Sequence, residues 1–79
     1  MGIYITGYFI MQETAQYEDG DRVSVVVAVG ANTYRVYMDE EYDPALLADE
    51  KVGETVTLRA RPYVSKKNSR LVWVDGAIA

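Results

Sequence analysis

The clearest alternation of apolar and polar positions runs from Thr55 to Tyr63. Val56, Leu58, Ala60 and Pro62 alternate with Thr55, Thr57, Arg59, Arg61 and Tyr63. A period of two predicts a strand with one apolar face and one basic, aromatic-tipped face. The polar stretch Ser65-Lys66-Lys67-Asn68-Ser69-Arg70 reads as a hairpin tip, and Leu71-Val72-Trp73-Val74 returns as the next strand. Upstream, Ile3 to Gln12 sets Ile3, Ile5, Phe9 and Met11 against Tyr4, Thr6, Tyr8 and Gln12, with Gly7 as an interruption. A glycine inside a strand often marks a bulge or sharp bend. If Gly7 is a bulge, the faces swap after it and Tyr8 and Ile10 turn inward; if not, Phe9 and Met11 do.

Glu18-Asp19-Gly20-Asp21 is a turn signal. Arg22 to Val29 follows as a strand with Val23, Val25, Val27 and Val29 on one face, and Val26 and Ala28 making the other face partly apolar. Gly30-Ala31-Asn32 is a second turn. Thr33 to Met38 is a third strand, with Tyr34, Val36 and Met38 opposite Arg35 and Tyr37. The one helical signal is Asp43-Pro44-Ala45-Leu46-Leu47-Ala48-Asp49, where Asp43 can cap and Pro44 suits the first helical position. The order is three strands, a short helix between strands 3 and 4, and two strands. This predicts an all-β fold, a small five-stranded OB-fold-like Greek-key barrel formed as a single domain over residues 1–79. An SH3-like barrel also has five strands, but its helical turn sits between the last two, where this chain has a hairpin.

Composition narrows the chemistry. The chain has no cysteine and no histidine, which removes thiolate metal sites and the commonest general base. There is no glycine-rich phosphate loop and no serine in a nucleophile motif. The acidic run Asp39-Glu40-Glu41-Tyr42-Asp43 lacks the spacing of a calcium loop. A non-enzymatic protein without cofactor, metal or small-molecule substrate is expected. The longest apolar run, Val25 to Val29, is too short to span a bilayer, and no signal-peptide pattern opens the chain; a cytoplasmic, membrane-free protein is the expectation.

Charge sharpens the picture. The net charge is −4, yet five of the eight Lys and Arg residues lie between Arg59 and Arg70. A local basic ribbon on an acidic body points to an anionic partner. Proteins that bind single strands without sequence preference combine cations along the phosphates with aromatic rings under the bases. The candidates for phosphate are Arg35, Arg59, Arg61, Lys66, Lys67 and Arg70. Tyr4, Tyr8, Tyr34, Tyr37, Tyr63 and Trp73 are the rings available. Trp73 and Tyr34 share strand faces with apolar residues and read first as core; Tyr37, on the face of Arg35, and Tyr63, on the hairpin with Arg59 and Arg61, are the candidates for stacking. A plainer reading stands beside this one: a Lys-Lys-Asn-Ser tip is an ordinary solvated turn, and Arg59 and Arg61 are ordinary partners for the many carboxylates.

Three segments carry a family resemblance: Tyr34-Arg35-Val36-Tyr37-Met38-Asp39-Glu40, Gly53-Glu54-Thr55-Val56-Thr57-Leu58 and Arg70-Leu71-Val72-Trp73-Val74-Asp75. Over about its last half, and in overall length, the chain resembles the small single-stranded-DNA-binding proteins of filamentous phages, the helix-destabilising or gene V type. The resemblance implies a homodimer of OB-fold subunits that coats single-stranded DNA during replication with little sequence preference, with a phosphate contact near Arg35. One departure is plain. The family's first long hairpin is a basic DNA-binding wing, whereas here the matching link reads as short and carries Glu13, Glu18, Asp19 and Asp21. The functional expectation is therefore single-stranded DNA, or RNA, bound by the barrel face and the later hairpin. The alternative is a protein-interaction or assembly module that works through its acidic surface.

Overall fold

A computed structural model describes residues 2–79. Five strands, β1 (Ile3–Tyr17), β2 (Gly20–Val29), β3 (Asn32–Met38), β4 (Thr55–Val64) and β5 (Leu71–Ile78), close into a barrel in the order β1-β2-β3-β5-β4. Neighbours are antiparallel except β3 and β5, which run parallel. A parallel pair needs a crossover, and the chain from Asp39 to Arg70 supplies it, carrying β4 across the far side. This is the expected OB-type arrangement.

The barrel closes because β1 serves two neighbours. Ile3 to Tyr8 pairs with β4, and Tyr8 to Tyr17 pairs with β2. At the hand-over the backbones crowd. A side chain on Gly7 would strike the carbonyl oxygen of Ala28 and sit 2.9 Å from Val29 Cγ2. Gly7 is thus a close-approach residue, and the bulge falls after it, between Phe9 and Met11. The faces do not swap at Gly7: Ile5 and Phe9 point into the core, Tyr8 and Ile10 stay exposed, and Met11, past the bulge, is exposed rather than inward.

Ile5, Phe9, Val25, Val27, Val36, Leu47, Leu58 and Ala60 form the core, with Tyr34 and Trp73 packed half-buried against it. Full burial of each large member is worth about 1.5–3 kcal/mol. The helical link is a pair of 3₁₀ turns, Pro44–Leu47 and Asp49–Lys51, rather than an α-helix. Asp43 caps the first by accepting from the Ala45 amide at 3.0 Å, and Leu47 is its buried residue.

Two strand pairs outgrow the barrel. Beyond Gln12, β1 pairs only with the start of β2, so the first link is a long antiparallel ribbon turning at Glu18-Asp19, not a short connection. Beyond Arg61, β4 pairs only with β5, forming a second ribbon that ends in Ser65–Arg70. β5 also continues past Val74 to Ile78, through a register shift at Asp75-Gly76. Asp75 takes a positive φ of 54°, and a side chain on Gly76 would lie 2.8 Å from Met38 Sδ.

Candidate nucleic-acid interface

Cross-strand partners share a face of the sheet, so the register assigns each candidate side chain. On β3, Val36 is buried, which turns Arg35 and Tyr37 outward. On β4, Leu58 and Ala60 are buried, which turns Arg59, Arg61 and Tyr63 outward. Arg61 lies opposite Val74 and Tyr63 opposite Val72 on β5, the strand between β4 and β3. Adjacent strands lie about 4.8 Å apart. The β3 and β4 candidates therefore occupy one outer face, roughly 10 Å apart across β5. Arg59 stands at the other end of this stripe, beside Tyr4, where β4 meets β1. Seven of the eight expected residues thus cluster on the β3-β5-β4 side, and Arg59 borders it.

The cations divide into two groups. Arg35 donates from Nη1 to Ser24 Oγ at 2.7 Å and from Nη2 to Glu13 Oε1 at 3.1 Å, so its head lies over β2 toward β1. Arg61 grips Asp75 Oδ2 through Nε at 2.8 Å and Nη2 at 2.7 Å. Arg22 pairs with Asp19, and Lys51 with Glu54. Among the described residues Arg59, Lys66, Lys67 and Arg70 have no ion pair. The reading as a partner for carboxylates therefore holds for Arg61 but not for Arg59, and Arg35 is paired as well. Exposed pairs of this kind contribute only about 0–1 kcal/mol.

Three of these four free charges, Lys66, Lys67 and Arg70, sit on the β4–β5 ribbon. Its tip is ordered by its own bonds. The Ser65 amide donates to Arg70 O at 2.9 Å, the Ser69 amide to Ser65 O at 2.9 Å, and the Arg70 amide to Asn68 Oδ1 at 3.1 Å. These bonds absorb backbone groups and leave the Lys66, Lys67 and Arg70 side chains exposed. Tyr63 is 42% exposed on the same ribbon.

Beside it the parallel seam opens. β3 and β5 share only two register pairs, Val36 with Trp73 and Met38 with Gly76. Toward the start of β3 the strands part, leaving a cleft of roughly 350 Å³. Thr33, Tyr34, Arg35 and Tyr37 line one side, and Leu71, Val72 and Trp73 the other. Tyr34 and Trp73 are core residues, as their strand faces imply, yet each also presents surface to this cleft. Nothing in the sequence marks the cleft, because it depends on where two distant strands diverge.

The opposite end of the barrel is acidic. The β1–β2 turn and the end of β3 meet there, and Asp19, Asp21, Asp39 and Glu40 line a cleft with Arg22 and Tyr42. Burial raises the Tyr42 phenol above its ordinary value, and the Asp43 carboxylate adds to the rise. Tyr42 donates to Gln12 Oε1 at 2.6 Å, and Gln12 Nε2 donates to Pro44 O at 3.0 Å. The described residues hold no group of three or more carboxylates placed to bind a metal ion, and no helix among them is long and apolar enough to cross a membrane. Compared with protein-family models, curated proteins and solved structures, the chain matches none.

Proposed function

We propose that this protein binds single-stranded nucleic acid, DNA in the first instance, without catalysis and with little sequence preference. The observation that carries the reading is the β4–β5 ribbon. It holds three cations free of carboxylate partners, an exposed Tyr63, and a position beside an aromatic-lined cleft on the outer face of an OB-type barrel. Lys66, Lys67 and Arg70 neutralise phosphates, with Arg59 extending the track. Tyr37 and Tyr63 offer ring faces to unpaired bases, each stacked base being worth about 1–3 kcal/mol by alanine substitution. Arg35 and Arg61 are reserve cations, since a phosphate can replace a weakly held surface carboxylate. Val64 and Leu71, a cross-strand pair each 59% exposed, supply apolar surface for a homodimer, whose stoichiometry sedimentation reads directly.

The deciding experiment is anisotropy of dye-labelled oligo-dT at low and moderate salt, with duplex of equal length as control. Saturable binding that prefers the single strand and weakens with salt supports the reading. An unchanged signal at low salt rejects it. The acidic end favours a second reading, a module that docks a basic protein partner, because carboxylates from the β1–β2 turn and the end of β3 gather there around Arg22. Retention of protein but not oligonucleotide would select that alternative.

A further inference from the structure

We infer that the cleft at the β3–β5 seam is a pocket for a single unstacked nucleobase, held against Trp73 and Tyr37 while the strand's phosphates run along the adjacent basic ribbon. This rests on the single-strand reading above and adds a specific site to it.

The lining selects a flat, neutral, polar-edged ligand. Three aromatic residues, Tyr34, Tyr37 and Trp73, border the cleft, and no carboxylate does. Its one charged neighbour, Arg35, has its guanidinium drawn off toward Ser24 and Glu13, so the methylene stem rather than the charge faces the ligand. That combination disfavours a phosphate inside the cleft and suits a π-faced ring. The polar edge has partners too. Alternate residues of a strand turn their N–H and C=O groups to opposite neighbours. β2 takes one set along β3. The β5 partner of the other set is missing near the start of β3, since the first β3–β5 pair is at Val36. Backbone donors and acceptors thus stand open at the cleft wall, together with the Thr33 hydroxyl.

Position ties the pocket to a phosphate chain. β3 and β5 run parallel, so both begin at the same end of the barrel. The residue before the cleft-lining Leu71 is Arg70, and the Lys66-Lys67 tip precedes it on the same ribbon. A base in the cleft therefore hangs from a backbone that meets the free cations. A paired and stacked base cannot present its face in this way, which makes the pocket a source of preference for single strands.

The test uses the intact protein and two dye-labelled strands of equal length, oligo-dT and a fully abasic strand with the same phosphates. Trp73 is the chain's single tryptophan, so red-edge excitation reports on the cleft alone. The expected result is quenching of Trp73 by oligo-dT, no quenching by the abasic strand, and anisotropy affinities differing by about tenfold or more, the weight of one stacked base. Tyr37→Ala should narrow that difference, and Tyr37→Phe should keep it. Equal affinities for the two strands overturn the pocket but leave single-strand binding standing. Tighter oligo-dT binding with unchanged Trp73 emission also overturns it, because stacking then occurs elsewhere. Failure of both strands to bind removes the single-strand reading and the pocket with it.

Discussion

Two ribbons leave the same barrel, and they differ in almost everything but backbone. The β1–β2 ribbon carries Glu13, Glu18, Asp19 and Asp21 against Arg22, and the β4–β5 ribbon carries Lys66, Lys67 and Arg70 with no carboxylate between Arg59 and Arg70. The first is braced to the body through Gln12 with Tyr42 and Pro44, and through Glu13 with Arg35. At the tip of the second, bonds among the described residues run only within the tip itself. A two-stranded ribbon needs no buried face, so its side chains are free to be chosen for what they meet. On the proposed single-strand reading, polyanion contact falls to the second ribbon and the first is a cation-facing or repelling arm.

Charge reversal breaks this contrast most severely. Lys66→Glu, Lys67→Glu and Arg70→Glu together should weaken oligo-dT binding on the order of 100-fold at low salt, and should flatten the slope of log affinity against log salt by about two units. A triple variant that binds like the parent would refute the assignment of the basic ribbon. The converse change is the sharper one. Glu18→Lys, Asp19→Lys and Asp21→Lys should convert the first ribbon into a phosphate-binding arm and raise affinity about tenfold, with a steeper salt slope. The gain should require a long strand, because the two tips lie at opposite ends of a molecule whose longest dimension is 33 Å. A gain with short oligonucleotides as well would mean the arms act on one stretch of strand.

The contrast also marks what the chain made legible. The order of five strands and the helical link followed from period-two runs and from turns at Gly20 and Gly30, because burial of one face forces the alternation. The extension of β1 to Tyr17 did not. Glu13-Thr14-Ala15-Gln16-Tyr17 has no apolar face, and a ribbon exposed on both sides imposes none. The outward set Arg35, Tyr37, Arg59, Arg61 and Tyr63 was readable from strand parity. Neutralisation of Arg35 by Glu13 and of Arg61 by Asp75 was not, since each pair joins positions brought together only by register. Asp75-Gly76 is itself a turn-type dipeptide inside an apolar run, a local sign of the bend that closes β5 onto Met38.

A gentler change tests whether Arg35 is held in reserve. Glu13→Gln removes the carboxylate that draws the guanidinium toward β1, while Ser24 Oγ still accepts from it. Because the pair is exposed and weak, folding stability should move by under about 1 kcal/mol. Oligo-dT affinity should rise a few-fold and the salt slope by up to about 0.7. A titration in which neither changes would show that Arg35 stays on Ser24 and serves the barrel only.

The smallest expected effect concerns the brace at the root of the acidic ribbon. Tyr42→Phe deletes the donor to Gln12 Oε1 and should cost about 1 kcal/mol in denaturant unfolding, with oligo-dT binding unaltered because the lost bond lies at the far end from the basic tip. The phenol also gives the brace a pH signature. Its folded value is raised, first by burial and then by Asp43, so the neutral form is the one the fold favours. Stability from this group is therefore complete below the unfolded tyrosine value and declines as pH climbs through the raised folded value. Wild type should lose stability at the alkaline limit faster than Tyr42→Phe, so the gap between them narrows there. No gap at any pH would mean the ring packs against the ribbon root without its hydroxyl mattering, and the bracing that separates the two ribbons would rest on Gln12 with Pro44 and on Glu13 with Arg35 alone.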